Sequence, residues 1–498
     1  MSAAASPGRD DIAALAKGGR TNVFGFILRL AARIPFLFVA GRLYGATTVG
    51  RFALAVVVVE LAALIATLGM KRGLAQALAK TDRPHAHVAW DALAVALIAS
   101  LGASALLFAF PGIMYPKSPP VGFEGWLPAI VFAIAWSDVS LAALAYRHNI
   151  KASVTARAVI EPWTISIAAT ILWYISPVDG LVIAYILSMV AAMVASILPF
   201  IRDYGVPVGW KPRLGTIVSL TRRNIPLAGA DAIEWATRNI DRFILGQLFP
   251  PAVVGIYYMA QQIASLPGRL KSSFDPILGP VIAQSLARGD PAAVAKQVRQ
   301  VGFWIMAAQG CLALLGSIPG EAVMGVIGPQ FVAGTAAMAF LLIAEVMASM
   351  GAVSESALIY VARHRNLMIS FGMLIFQIVL SLGLILLMRR LGWPENFQAA
   401  GPAIALMVSL AIGSLIKSRL LSRLLKAPVS GWRWPLVWAA LVAIGVGSVF
   451  TSLPHRFEWA ELVFGLPAIA ASYLFVIWRF AFGPDDRALF RKVPAPAG

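Results

Sequence analysis

The chain has 498 residues, of which 59% are hydrophobic and only 13% charged, and it carries a net charge of +18. Soluble domains hold about 25% charged residues, so this composition excludes a soluble globule and makes lipid the solvent. The apolar stretches reach about 20 residues, enough for a helix to cross a ~30 Å hydrocarbon core. Strand-like alternation over about ten residues is absent, which excludes a transmembrane barrel.

Residues 1–21 are predicted to be a cytoplasmic tail. The run MSAAASPGRDDIAALAKGGR has no short apolar region with a cleavage site, so it reads as a short helix on the inner surface rather than a cleaved signal. Six spans follow within residues 22–201, centred near Leu30, Val59, Ser100, Ile134, Ile167 and Val190. The stretch 202–223, with Lys211, Pro212 and Arg213, is the predicted cytoplasmic linker. Six more spans within 224–425 centre near Ala236, Ser265, Ala308, Leu342, Val379 and Val408, and a final pair within 426–480 centres near Ala443 and Ile469. Residues 481–498 form a cytoplasmic tail. The expectation is therefore an all-α polytopic membrane protein of about fourteen spans: two six-helix lobes and a C-terminal helix pair.

With the N-terminus inside, 29 of the 41 Lys and Arg residues fall in cytoplasmic segments. Four, at Lys117, Arg389, Arg390 and Arg456, fall outside. That asymmetry sets the predicted orientation. It also accounts for most of the positive charge as a collar facing anionic membrane lipids. No segment is long enough to offer a nucleic-acid surface.

The two lobes open on related segments. Arg33–Ala55, RIPFLFVAGRLYGATTVGRFALA, returns 205 residues later as Arg238–Ala260, RNIDRFILGQLFPPAVVGIYYMA, with seven identities in 23 positions. Gly41 pairs with Gly246, Gly50 with Gly255 and Arg33 with Arg238. Six helices separate the copies, an even number, so both lobes keep one orientation and are related by a pseudo-two-fold axis along the membrane normal, with a binding site between them.

Charge inside the membrane is costly unless paired or wetted. On the seventh span Asp231, Glu234, Arg238 and Asp241 are spaced by three, four and three, which puts them on one helix face. The first span carries Arg29 and Arg33. The eighth adds Gln261, Gln262, Arg269, Lys271 and Asp275, and the second adds Arg51 and Glu60. A water-filled cationic cavity accommodates these groups. A structural network in which Arg238 and Arg242 pair with Asp231, Glu234, Asp241 or Asp275 accounts for that part of them as well. Arg29 and Arg33 have no acid on their own helix and suit a phosphate or pyrophosphate, which Arg binds bidentately. Asp91, Asp138, Glu161 and Glu345 are either proton or sodium sites or paired helix contacts. Pro267, Gly268, Pro276 and Pro280 predict a broken or kinked eighth span.

No GxxxxGK[ST] loop is present, Cys311 is the single cysteine, and His is scattered. ATP hydrolysis by that loop, a zinc site and a redox pair are therefore not expected, and neither is catalysis. No cofactor is expected beyond a coupling ion, H+ or Na+.

The two six-helix lobes, the charged first and seventh spans, the turn LYGATTVGRFALA with its echo LFPPAVVGIYYMA, and the terminal helix pair resemble the multidrug/oligosaccharidyl-lipid/polysaccharide exporter superfamily. The greatest likeness is to its bacterial polysaccharide-biosynthesis branch. That resemblance implies an inner-membrane flippase for an undecaprenyl-pyrophosphate-linked oligosaccharide, which works either alone or beside a polysaccharide polymerase. It implies that Arg29, Arg33, Arg238 and Arg269, with Gln261 and Gln262, meet pyrophosphate and sugar. Asp231, Glu234, Asp241, Asp275 and Glu60 are then coupling or gating groups. The alternatives are a lipid II flippase, a cation-coupled multidrug exporter and, from another class, a membrane glycan polymerase or ligase.

Overall fold

The computed structural model describes residues 34–212, 214–268, 271–452, 458–483 and Asp486. Among these, every regular element is helical. The principal helices are α1 (Gly45–Ala66), α2 (Met70–Ala79), α3 (His85–Ala109), α4 (Ile130–Tyr146), α5 (Glu161–Ile175), α6 (Gly180–Tyr204), α7 (Leu214–Leu248) and α8 (Pro251–Gly268). They continue as α9 (Lys271–Ala287), α10 (Pro291–Ser317), α11 (Thr335–Val361), α12 (Arg363–Arg390), α13 (Glu395–Leu425), α14 (Pro435–Thr451) and α15 (Leu466–Val476).

Among the described residues, ten helical segments are long and apolar enough to cross a membrane. This does not establish a count of fourteen, and the physical reasons for the shortfall differ. Much of the first predicted span precedes the described residues. α7 carries a stripe of charge, α8 carries the polar pair Gln261 and Gln262, and α14 has only 17 residues. The break expected in the eighth span does not fall at its prolines among the described residues: α8 is helical through Pro267 and Gly268 and α9 across Pro276 and Pro280, while residues 269 and 270 lie outside the described residues.

The described residues form two compact units that part between Tyr258 and Met259. In the first, α2, α3, α4 and α6 enclose a core that includes Met70, Leu74, Leu93, Leu144 and Phe200, and Leu220 of α7 packs against it. α2 is formed by the pattern MKRGLAQALA. Met70, Leu74 and Leu78 repeat at four-residue intervals and are buried, while Lys71 and Arg72 point away from the core. The chain enters α2 through Gly69 at φ +74°, a left-handed conformation that favours glycine.

The second unit is organised around α10, α11 and α13, with α14 and α15 packed on α10. Its core holds Phe303, Trp304, Leu358, Leu421 and Tyr473. Asp486 closes it. This carboxylate is 1% exposed, lies 2.6 Å from Arg433, and accepts hydrogen bonds from Trp304 at 2.9 Å and from Gln300.

Candidate functional site

The repeat copies meet in the first unit. A Cβ added to Gly50 would overlap the Pro251 carbonyl oxygen, and one added to Gly255 would overlap the Ala46 carbonyl oxygen. Ala46 and Pro251 are themselves equivalent under the 205-residue offset, so the contact is reciprocal, as across a local two-fold axis. Only glycine lets the starts of α1 and α8 approach backbone to backbone, the close crossing that small residues permit between membrane helices.

The opposite end of α1, ~33 Å away for 22 residues, leads into a second close contact, between α2 and α7. A Cβ on Gly69 would lie 2.5 Å from the Asn224 carbonyl oxygen and 2.8 Å from the Ala228 nitrogen. Beside it Arg72 reaches α7, with Nε 2.6 Å from Asp231 Oδ1 and a terminal nitrogen 2.7 Å from Glu234 Oε2. The approach to Asp231 is an ion pair without hydrogen-bond alignment. Asp231 is 6% exposed, whereas Arg72 and Glu234 are about half exposed at 48% and 59%. Lys71, the preceding residue, reaches a different acid, Asp138 of α4, at 3.5 Å. Asp138 also pairs with Arg157, which holds Glu161 at 2.8 Å. Two successive cations of α2 thus link acids of α4 and α7.

The four charges spaced along α7 share a face but not an environment. Asp231 is packed against α2. Glu234 and Arg238 are exposed near the middle of the helix. Asp241 is fully buried, accepting from the Tyr257 hydroxyl at 2.5 Å and the Arg242 amide at 2.8 Å. Arg242 is buried too, 5.4 Å from the Tyr258 ring centre and donating to Asn239. Removing the Tyr257 hydroxyl leaves Asp241 one donor short. Tyr257→Phe is therefore expected to lower stability by about 1.5–3 kcal/mol, read by thermal unfolding. Tyr360→Phe, at an exposed tyrosine, should cost under about 0.5 kcal/mol.

The other predicted groups are dispersed. Glu60 accepts from the Tyr185 hydroxyl at 3.4 Å. Gln261 and Gln262 are half-buried on α8. Arg29, Arg33 and Arg269 lie outside the described residues, and Asp275 sits in α9 with its side chain likewise outside them. Arg51 clamps the connection after α3, with bonds to Glu124 at 2.5 and 2.8 Å and to the Pro119 carbonyl at 2.9 Å. There burial and the neighbouring Glu124 push the Tyr115 hydroxyl well above its usual range. Asp91 pairs with Arg83 at 2.7 Å and accepts from Trp210 at 2.9 Å, and Asp138 and Glu161 are paired as above. Glu345 sits against the Gly268 backbone.

Sequence reasoning missed Lys71, Arg72 and Arg157, which it assigned to the cytoplasmic collar. The signal was present in α2, whose period of four marks a packed amphipathic helix rather than a loop.

This fold is that of membrane transporters. An inward-facing multidrug resistance MATE family transporter of the MOP superfamily superposes with TM-score 0.63 at 15% identity, covering 80% of this chain and 99% of the other. The lipid II flippase MurJ in an inward closed conformation gives 0.67 at 13% identity, covering 95% and 99%. No curated protein sequence matches significantly. The family model described as "Polysaccharide biosynthesis protein" matches residues 39–308, more than half of the chain, and the chain belongs to that family. These two structural neighbours are a transporter and a flippase.

Proposed function

We propose that this membrane transporter moves a polyprenyl-pyrophosphate-linked oligosaccharide from the cytoplasmic to the periplasmic leaflet of a bacterial inner membrane, for cell-surface polysaccharide synthesis. The observation that carries this reading is the exposure of Glu234 and Arg238 near the middle of α7. Ionised groups on the exposed face of a membrane-embedded helix are expensive against lipid, so in this reading that face lines a water-filled space. A pyrophosphate does not cross hydrocarbon unaided. A wet cavity with a guanidinium such as Arg238 binds it through charge-assisted bonds, while the polyprenyl tail stays in lipid.

In the same reading the two close contacts of the first unit act as gates. The Gly50–Gly255 crossing shuts one end and the Arg72 pairs with Asp231 and Glu234 shut the other. Each must part in turn for a headgroup to enter and leave. A proton or Na+ arriving at Asp231 or Glu234 weakens the hold on Arg72, which supplies a coupling route. Asp241, Asp275 and Glu60 remain further coupling candidates. Arg29, Arg33, Arg269, Gln261 and Gln262 are proposed to meet the headgroup with Arg238.

In cells lacking the protein, lipid-linked oligosaccharide is expected to accumulate on the cytoplasmic leaflet, with wild type restoring export. Arg238→Ala should export about tenfold more slowly or worse, the loss of one ionic hydrogen bond, and Arg238→Lys should recover part of it. Unchanged surface glycan in the deletion strain would refute the assignment.

A further inference from the structure

A second cationic feature lies in the other unit. The adjoining ends of α12 and α13 enclose an open groove of about 440 Å³. From α12 it is lined by Arg365, Met368 and Ile369, and from α13 by Ile416, Arg419, Leu420 and Arg423. Spacings of three and four on both helices bring one face of each to the groove.

The arrangement is graded. Along α12 the arginine comes first and the apolar pair lies deeper in the span. Along α13, which runs the opposite way, Ile416 is deepest and Arg423 nearest the end. The three guanidiniums are exposed and make no ion pair or hydrogen bond with a described residue. The neighbouring acid, Glu355, already holds Lys417 at 3.0 Å. Beyond the groove the apolar lining continues as exposed side chains on α12, with Met368 72%, Ile375 47% and Val379 64% exposed. They lie on a helix long and apolar enough to cross a membrane.

A site with arginines at its rim that pair with no described residue, and an apolar floor continuous with an exposed apolar helix face, matches one kind of molecule: an anion carrying a hydrocarbon chain. We propose that this groove holds an anionic phospholipid, its phosphate between Arg365, Arg419 and Arg423 and an acyl chain along Met368, Ile369 and Ile416. Basic pockets between membrane helices take anionic headgroups in this way. Arginine suits the role because its planar fork pairs bidentately with phosphate and is weakly hydrated. The inference does not depend on the transported substrate, since it uses only the chain's residence in a membrane.

The test is native mass spectrometry of the full-length protein titrated with phosphatidylglycerol. Substituting Arg365→Gln, Arg419→Gln and Arg423→Gln together should weaken retention on the order of a hundredfold, about fivefold for each charge removed. Lys80→Gln, Lys151→Gln and Lys211→Gln together remove the same charge from exposed positions elsewhere and should change it less than about twofold. Met368→Asp, which leaves all three arginines in place, should weaken it as well by placing a carboxylate beside the phosphate. Equal loss in the two triple variants would reduce the groove to general electrostatics and overturn the proposal. Phosphatidylcholine held as well as phosphatidylglycerol, inorganic phosphate held as well as the lipid, or a polyprenyl pyrophosphate held in preference would overturn it too.

Discussion

Gly255→Leu is expected to abolish export and to destabilise the protein, and Gly50→Leu should do the same. At either position the first added carbon already overlaps a main-chain carbonyl oxygen of the opposite helix. A carbonyl fixed in a helix cannot step aside like the end of a flexible side chain, so α1 and α8 must move apart. Overpacking of this kind costs about 1–3 kcal/mol, and here it acts on both copies of the repeat at once. Under the proposed mechanism the affected gate no longer shuts, so the headgroup space stays open at that end. Gly102→Leu is the control, because a Cβ there meets nothing within 4 Å. Normal export and normal thermal unfolding in Gly255→Leu would mean that the crossing is not needed in the transport cycle.

Arg72→Ala should have the next largest effect. It removes the cation from Asp231, which is 6% exposed, and from half-exposed Glu234. A fully buried pair broken from one side costs about 3–5 kcal/mol, but Arg72 is itself half solvated, which reduces the expectation to about 1–3 kcal/mol. Asp231→Asn should soften the loss, because an amide needs no counter-charge. A double-mutant cycle between Arg72→Ala and Asp231→Asn is expected to give a coupling of about 1–2 kcal/mol in thermal unfolding. Export should fall in Arg72→Ala and recover in part in Arg72→Lys. Additive single effects would show that the pair does not hold α2 to α7.

Much of this was legible in the sequence. Composition and span length dictate an all-helical membrane protein, and the internal repeat marks Gly50 and Gly255 as equivalent positions, while their contact is visible only in the fold. What periodicity cannot supply is the partner across the seam. Asp231, Glu234, Arg238 and Asp241 share one face by spacing, yet their fates depend on what packs opposite: Arg72 for the first two, Tyr257 for the last. Arg72 itself was hidden by the rule that places cations in cytoplasmic loops. The rule counts charge along the chain, and it does not see that α2 folds back to bury Met70, Leu74 and Leu78. Arg157 escaped for the same reason. Asp91, Asp138 and Glu161 could be read from sequence either as ion sites or as paired contacts. Arg157–Glu161 is an i,i+4 pair and Arg83–Asp91 a near neighbour in the chain, whereas Asp138 meets Lys71 and Arg157 only because the fold brings them within reach.

The most direct test of the central proposal uses purified protein in vesicles loaded with a polyprenyl-pyrophosphate-linked oligosaccharide, following how much of the glycan becomes accessible on the far leaflet. Wild type should move it faster than protein-free vesicles, and Gly255→Leu should not. A wild-type rate equal to that of empty vesicles, with a lipophilic cation transported instead, would contradict the flippase reading and assign the chain to drug export.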